Sequence, residues 1–380
     1  VAASLTSRQR VLRTLARQPV DRVPIFDKFW FETECAWREQ LGIPLQALPG
    51  EPPVHWSNNA SYAHKSRTLW EHFDMDILEV AWPDYRLRLV PAETVEETDE
   101  WMLQRDGNGA LLRWWKHKMG TPEHVGFSVS SPEAWAKVKP LLTADPHRVR
   151  WDEYWPLYGR ARAQDRFVCF CTVEPIEMVK DVLGHEIMLK AMIKQPEWIH
   201  DVFDTYTRVA LQMFEHVEAE GIVCDGAFVY GDMAYKNGPF MSPRHYREFV
   251  QPYHRRLFET FRRRGMPVIF HSDGDIRPVL DDLIAAGVDA INPLENNAGM
   301  DVRELAPKWG ARLGFVGNIN VSVLATNDPE QVRAELRAKL GAAMPYYGYM
   351  YHSDHSVPPG VTLETYQLVL AEVRRIGCYD

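Results

Sequence analysis

The chain has no run of apolar residues long enough to cross a bilayer, and its opening, VAASLTSRQRVLRTLARQP, lacks the apolar stretch of a secretory signal. It has few cysteines: Cys35, Cys169, Cys171, Cys224 and Cys378 are an odd, scattered set that does not read as a disulfide framework. Together these absences set a cytoplasmic location as the expectation, with no membrane partner. Positive charge is not in excess, since 43 Lys and Arg stand against 52 Asp and Glu for a formal net charge of −9. That argues against nucleic acid as a partner, while a small anion held by a few arginines stays open. Neither a GxGxxG fingerprint nor a phosphate loop follows an early strand, so the strongest sign of a doubly wound nucleotide-binding sheet is missing. Internal repeats and low-complexity tracts are absent as well.

What is present is an ordinary globular composition, 46% hydrophobic and 25% charged, on a chain long enough to bury a large core. A first helix fits residues 6–16, with Thr6 or Ser7 as its cap and Val11, Leu12 and Leu15 as its buried stripe. VPIFDKFW (23–30) reads as a first strand and DILEVAW (76–82) as a second. Residues 85–129 are rich in Trp, Arg and Thr and carry the turn DGNG at 106–109, which predicts a β-hairpin insertion over one mouth of the fold. Trp114 and Trp115 in that insertion are expected to pack it down.

From residue 166 onward, the apolar strands FVCFCTV, VCDGAFVY, PVIFH, DAINPL, RLGFVGN and YGYMYHS alternate with amphipathic segments. In SPRHYREFVQPYHRRLFETF, for example, Tyr246, Phe249, Val250, Tyr253 and Leu257 share one helical face. Short apolar strands alternating with helices imply a parallel sheet covered by helices. Two early strands plus six later ones make eight, the number that closes a (β/α)8 TIM barrel. The expectation is one such α/β domain over residues 1–380, with the insertion after the second strand. Cys169 and Cys171, two apart on a strand, face the same side and are expected to be a core pair.

In a parallel barrel, function collects at the carboxyl ends of the strands. VYGD ends in Asp232, and VIFHSDGD in His271, Asp273 and Asp275. INPLE ends in Glu295, FVGN in Asn318, and MYHSDHS in His352, Asp354 and His355. Helix capping accounts for part of Asp275 and Asn318, but not for five successive ends. His271 and Asp273, two apart on an extended segment, can point into one cavity that His355 reaches from the last strand. Two imidazoles and a carboxylate suit zinc or another divalent ion with open positions. The same residues can also position a substrate without metal, and spacing does not separate the two. Glu174 and Glu177 suit the N-terminus of the helix that follows the third strand, and Glu174 is also a candidate to face the cleft. Asp27 and Trp30 end the first strand, where an aromatic suits a planar substrate.

The segments TSRQRVLRTLARQPVDRVPI, NGPFMSPRHYREFVQPYHRRL, FHSDGDI, GVDAINPLE, FVGNIN and SDHSVPPGVTLETY occur in this order over nearly the whole chain. In this the sequence resembles the uroporphyrinogen decarboxylase superfamily, which includes metal-dependent methyltransferases serving corrinoid proteins and coenzyme M. The resemblance implies a (β/α)8 barrel with its site in the C-terminal cleft, and barrels of this superfamily often pair, so a homodimer is an expectation. Decarboxylases of the family carry an arginine-rich RQAGRY-like motif, whereas FDKFWFETECAWRE lacks that pair of arginines. Their catalytic aspartate has its nearest match in Asp84, one residue out of register, and their late histidine matches His355. Arg86, Arg88 and Arg277 would then supply cations for substrate carboxylates.

The methyltransferase branch holds zinc on a His-x-Cys pair and a distant Cys. Here His271 keeps its place, while Asp273 and His355 replace the thiolates, a harder set suited to polarising oxygen rather than activating a thiol. The first reading is therefore a metal-dependent methyltransferase or O-demethylase-like enzyme. It would take a methyl group from a small oxygen-containing substrate to a corrinoid on a partner protein, with Asp232 or Glu295 as proton donor or supporting group. Asp27, Trp30, Glu174, Arg277, Asn318 and His352 are the candidate substrate contacts. The rivals are a decarboxylase led by Asp84 and His355, and a barrel that binds a tetrapyrrole or corrinoid without turnover.

Overall fold

Thr6 starts the first helix by a reciprocal cap: its hydroxyl accepts from the Gln9 N–H, and the Gln9 side chain accepts from the Thr6 N–H. The helix, Ser7–Leu15, buries Val11 and Leu15. The computed structural model describes residues 4–43, 67–117 and 121–379. Its strands are β1 Ile77–Val80, β2 Glu93–Glu97, β3 Trp101–Arg105, β4 Leu111–Trp115, β5 Glu123–Gly126, β6 Phe167–Val173, β7 Gly226–Tyr230, β8 Ala234–Tyr235, β9 Gly238–Pro239, β10 Val268–His271, β11 Ala290–Asn292, β12 Gly314–Val316 and β13 Tyr349–Met350.

Seven of these form one curled parallel sheet in the order β1-β6-β7-β10-β11-β12-β13. Its two faces follow from the period of two along each strand. Ile77, Cys169, Cys171, Phe228, Ile269, Ala290, Val316 and Met350 gather in one cluster with Phe26 and with Val11 and Leu15 of the first helix. Leu78, Val168, Phe170, Val229, Phe270, Phe315 and Tyr349 join the larger cluster that the remaining helices cover. The helices of residues 175–263 follow the expected pattern: Tyr246, Phe249, Val250 and Leu257 are buried, and a π turn over Tyr246–Val250 precedes Gln251–Arg263. Tyr253 is half-buried, with its hydroxyl donating to the His200 carbonyl. Among the described residues no helix is long and apolar enough to cross a membrane.

One expectation needs correction and another is extended. Residues 23–30 do not form a regular strand. They make isolated parallel bridges, Ile25 to Tyr351 and Phe29 to Val357. Pro24 has no N–H to give a ladder, although its carbonyl accepts from the Tyr351 N–H at 2.9 Å. The segment is nonetheless hydrogen-bonded on both sides: Phe26 N–H to the Tyr351 carbonyl at 3.1 Å, and Asp76 N–H to the Ile25 carbonyl at 2.7 Å. The hairpin expected at DGNG is flanked by two further strands, so that β2, β3, β4 and β5 form a four-stranded antiparallel sheet. The DGNG turn joins β3 to β4, with Asp106 accepting from the N–H groups of Asn108 and Ala110. Trp114 is buried and Trp115 is exposed.

Candidate active site

The parallel register sets the site. Tyr230, His271 and Asn292 stand opposite one another at the carboxyl ends of β7, β10 and β11. Just beyond these ends the chain turns through Asp232 and Asp273. The Asp273 N–H donates to Asp232 Oδ1 at 2.9 Å, and His271 Nε2 lies 3.8 Å from the same oxygen. One ligand atom from each of Asp232, His271 and Asp273 falls within 4.8 Å of the others. His355 Nε2 is 4.0 Å from Asp273 Oδ2, and its ring stacks on Trp30 with centroids 5.7 Å apart. Glu295 borders the group, its Oε2 accepting from the Gly274 N–H at 2.9 Å.

The electrostatics separate the two aspartates. Burial pushes the Asp232 carboxyl up, but His271, Lys180 and the Asp273 N–H pull it below the usual range. Burial raises Asp273 against the pull of His271, and Asp232 adds to the rise. Asp273 Oδ1 is buried with no hydrogen-bond partner among the described residues. A buried carboxylate oxygen without a donor is costly unless a cation or ligand meets it.

Several sequence-predicted residues lie elsewhere. Glu174 is fully buried: it caps the helix Pro175–Lys194 through the N–H groups of Ile176 and Glu177 and takes a 3.0 Å contact from His254 Nε2. Asn318 is also fully buried, donating to the Leu294 and Met300 carbonyls and accepting from the Val302 N–H. Arg277 pairs with Asp275 at 2.8 Å, and Asp84 is held bidentate by Arg86. Asp27 is enclosed by the hydroxyls of Tyr351, Tyr366 and Ser353. His352 is buried; its Nδ1 faces the Ser353 carbonyl, and burial pushes it down to about 3.

Other residues at the mouth were not assigned to the site from sequence, Glu177 having been read only as suiting a helix N-terminus. Asn292 bonds His271 Nδ1 at 2.7 Å. Glu177 accepts from the Asp232 N–H at 3.0 Å and pairs with Lys180 at 2.6 Å. Burial raises Glu177 to about 8 despite Lys180. Lys28 bonds the Tyr230 hydroxyl, which in turn donates to Glu79, and Lys28 pairs with Glu79 at 3.1 Å. Trp82 leans on Tyr230 with centroids 4.7 Å apart. The available signal was alignment: Tyr230 and Asn292 occupy the same strand-end level as His271.

The model of the family described as uroporphyrinogen decarboxylase (URO-D) matches residues 172–376. A uroporphyrinogen decarboxylase of Saccharopolyspora erythraea is 33% identical over 148 residues, 36% of this chain and 40% of that protein. One from Anaeromyxobacter dehalogenans is 27% identical over 195 residues, 50% of this chain and 51% of its own length. The chain thus spans about two-fifths to one half of the length of these curated relatives. Among solved structures, a methyltransferase from Methanosarcina mazei aligns over 98% of this chain and 99% of its own, with a TM-score of 0.69 and 16% identity. That likeness is one of fold.

Proposed function

The chain belongs to the uroporphyrinogen decarboxylase (URO-D) family, and on that premise we propose that it is a metal-dependent methyl-transferring enzyme of the O-demethylase type. The observation that carries this reading is the convergence of Asp232, His271 and Asp273 on one point, with Asp273 Oδ1 buried and unpartnered among the described residues. Nitrogen and carboxylate donors of this kind fit zinc or another divalent ion. His271 Nε2, Asp273 and Asp232 would hold it, with His355 next to Asp273 as a further donor; Asp232 thereby joins the set expected from sequence. When bound, the ion supplies Lewis acidity to the oxygen of a small methyl ether or alcohol.

The chain's own residues do the rest. Trp30, stacked on His355, and Trp82, packed against Tyr230, put aromatic surface beside the site. Glu295, pinned through one oxygen by Gly274, gives a proton to the substrate oxygen as its bond to the methyl carbon breaks and both bonding electrons stay on that oxygen. The acceptor of the methyl group would be a reduced corrinoid on a separate protein, the acceptor class of the methyltransferase branch. In this reading the fold is a (β/α)8 barrel in which residues 22–30 take the eighth place. Decarboxylation is the activity named for the curated relatives, but two of the cations it would need here are engaged, Arg86 by Asp84 and Arg277 by Asp275.

Elemental analysis after zinc reconstitution tests the proposal. About one ion per chain is expected, with loss of most of it in both His271→Ala and Asp273→Asn. A wild-type protein that stays without stoichiometric metal sinks it, and carbon dioxide release from uroporphyrinogen would move the assignment to the decarboxylase reading.

A further inference from the structure

We propose that Asn292 is a positioning residue that fixes the tautomer of His271, so that the lone pair of Nε2 is turned towards Asp232 and Asp273. The inference rests on the metal-holding reading above and adds the group that prepares its imidazole. Asn292 is buried beside His271, in register across β10 and β11. Its amide has two faces, and the neighbours decide which is which. Asn292 Nδ2 lies 2.9 Å from the Val316 carbonyl of β12. A carbonyl oxygen only accepts, so the NH2 end must face Val316 and Oδ1 must face His271.

Asn292 Oδ1 is 2.7 Å from His271 Nδ1, and an amide oxygen likewise only accepts, so Nδ1 carries the proton. A neutral imidazole protonated on Nδ1 has its lone pair on Nε2. Nε2 is the nitrogen that lies 3.8 Å from Asp232 Oδ1. The ring is further braced by Tyr230, with centroids 4.8 Å apart. Three adjacent strands therefore specify one proton position. The second hydrogen bond of a metal-ligating histidine usually governs both orientation and affinity, at a cost of about 10–100-fold in metal binding when it is removed.

The test uses protein labelled with nitrogen-15 in histidine, metal-free, at about pH 8.5, where an ordinary imidazole is neutral. His271 is assigned by the signal lost in His271→Ala. Wild type is expected to show His271 protonated on Nδ1. Asn292→Ala is expected to shift the ring towards protonation on Nε2 and to weaken zinc binding about 10–100-fold, while Asn292→Asp, which keeps an acceptor, restores the wild-type ring signal. A wild-type His271 protonated on Nε2 overturns the inference, and so does an Asn292→Ala protein with unchanged ring shifts and zinc affinity. If Asn292→Ala does not fold, the wild-type spectrum and Asn292→Asp decide the matter. A wild type that never binds zinc overturns the metal site itself, whereas one that binds zinc with an Nε2-protonated ring removes only the role of Asn292.

Discussion

At Asp27 a single enclosed carboxylate gathers the hydroxyls of Tyr351, Tyr366 and Ser353 and the N–H groups of Lys28 and Ser353. Burial pushes it up to about 7 in spite of these donors. His352 Nδ1, 3.8 Å away, adds no charge, because burial keeps that ring neutral. The folded protein therefore keeps a proton that an ordinary aspartate near 3.8 has released. The stability linked to this proton is full below about pH 4 and is lost as pH rises towards 7. Asp27→Asn, which does not titrate, is expected to flatten that part of the decline in melting temperature between about pH 4 and 7. Asp27→Ala strands two tyrosine hydroxyls and is expected to cost about 2–4 kcal/mol at any pH. Thermal unfolding across a pH series separates the two effects, and parallel curves for wild type and Asp27→Asn would refute the protonated state.

At the scale of one element, the helix Pro175–Lys194 shows how the site is backed. Its cap, Glu174, sits against Gly231, where an added Cβ would lie 2.0 Å from Glu174 Cγ and 2.4 Å from Oε1. Glu174 cannot swing aside, because helix N–H groups and His254 hold both of its oxygens. Gly231→Ala is therefore expected to cost about 3 kcal/mol or more and to displace the adjacent Asp232. Gly159→Ala, inside the helix Trp151–Ala163 with open space around it, should instead gain about 0.5–1 kcal/mol. Urea denaturation of the two variants checks the contrast, and a mild Gly231→Ala would show that the cap can yield.

The elements themselves were legible to different degrees. The strands after residue 166 announced themselves by apolar runs between amphipathic segments, and His271, Asp273 and Asp232 by polar residues at their ends. Residues 23–30 read as a strand because hydrophobic alternation does not register what Pro24 removes from a ladder. Glu174 and Asn318 were misleading for a common reason: a polar residue at a strand end looks the same whether it faces a cleft or satisfies backbone N–H groups. Asn292 was missed because its role exists only through neighbouring strands.

Over the whole molecule, charge is concentrated at one join. Asp76 is fully buried and accepts from Ser7 Oγ at 2.7 Å, Arg10 Nη1 at 2.7 Å, Arg22 Nη1 at 2.8 Å and the Ile25 N–H at 2.7 Å. It thus ties the first helix and residues 22–25 to the start of β1. Removing one member of a buried ion group leaves the others uncompensated, at about 3–5 kcal/mol. Asp76→Ala is expected to lower the unfolding free energy by that amount and to shift the transition of all spectroscopic probes together, and a change confined to the first helix would contradict a single cooperative unit.

That join also has a cost in time. Residue 25 meets residue 351 on one side and residue 76 on the other, so the segment is synthesised among the first residues described but finds its distant neighbour only after more than three hundred others have emerged. Contacts so remote along the chain form slowly. Until they do, β1 and β13 each present an unmated edge of the kind that recruits other unfinished chains. A nascent polypeptide of this design is expected to be most open to association with other chains in the interval before β13 has been made.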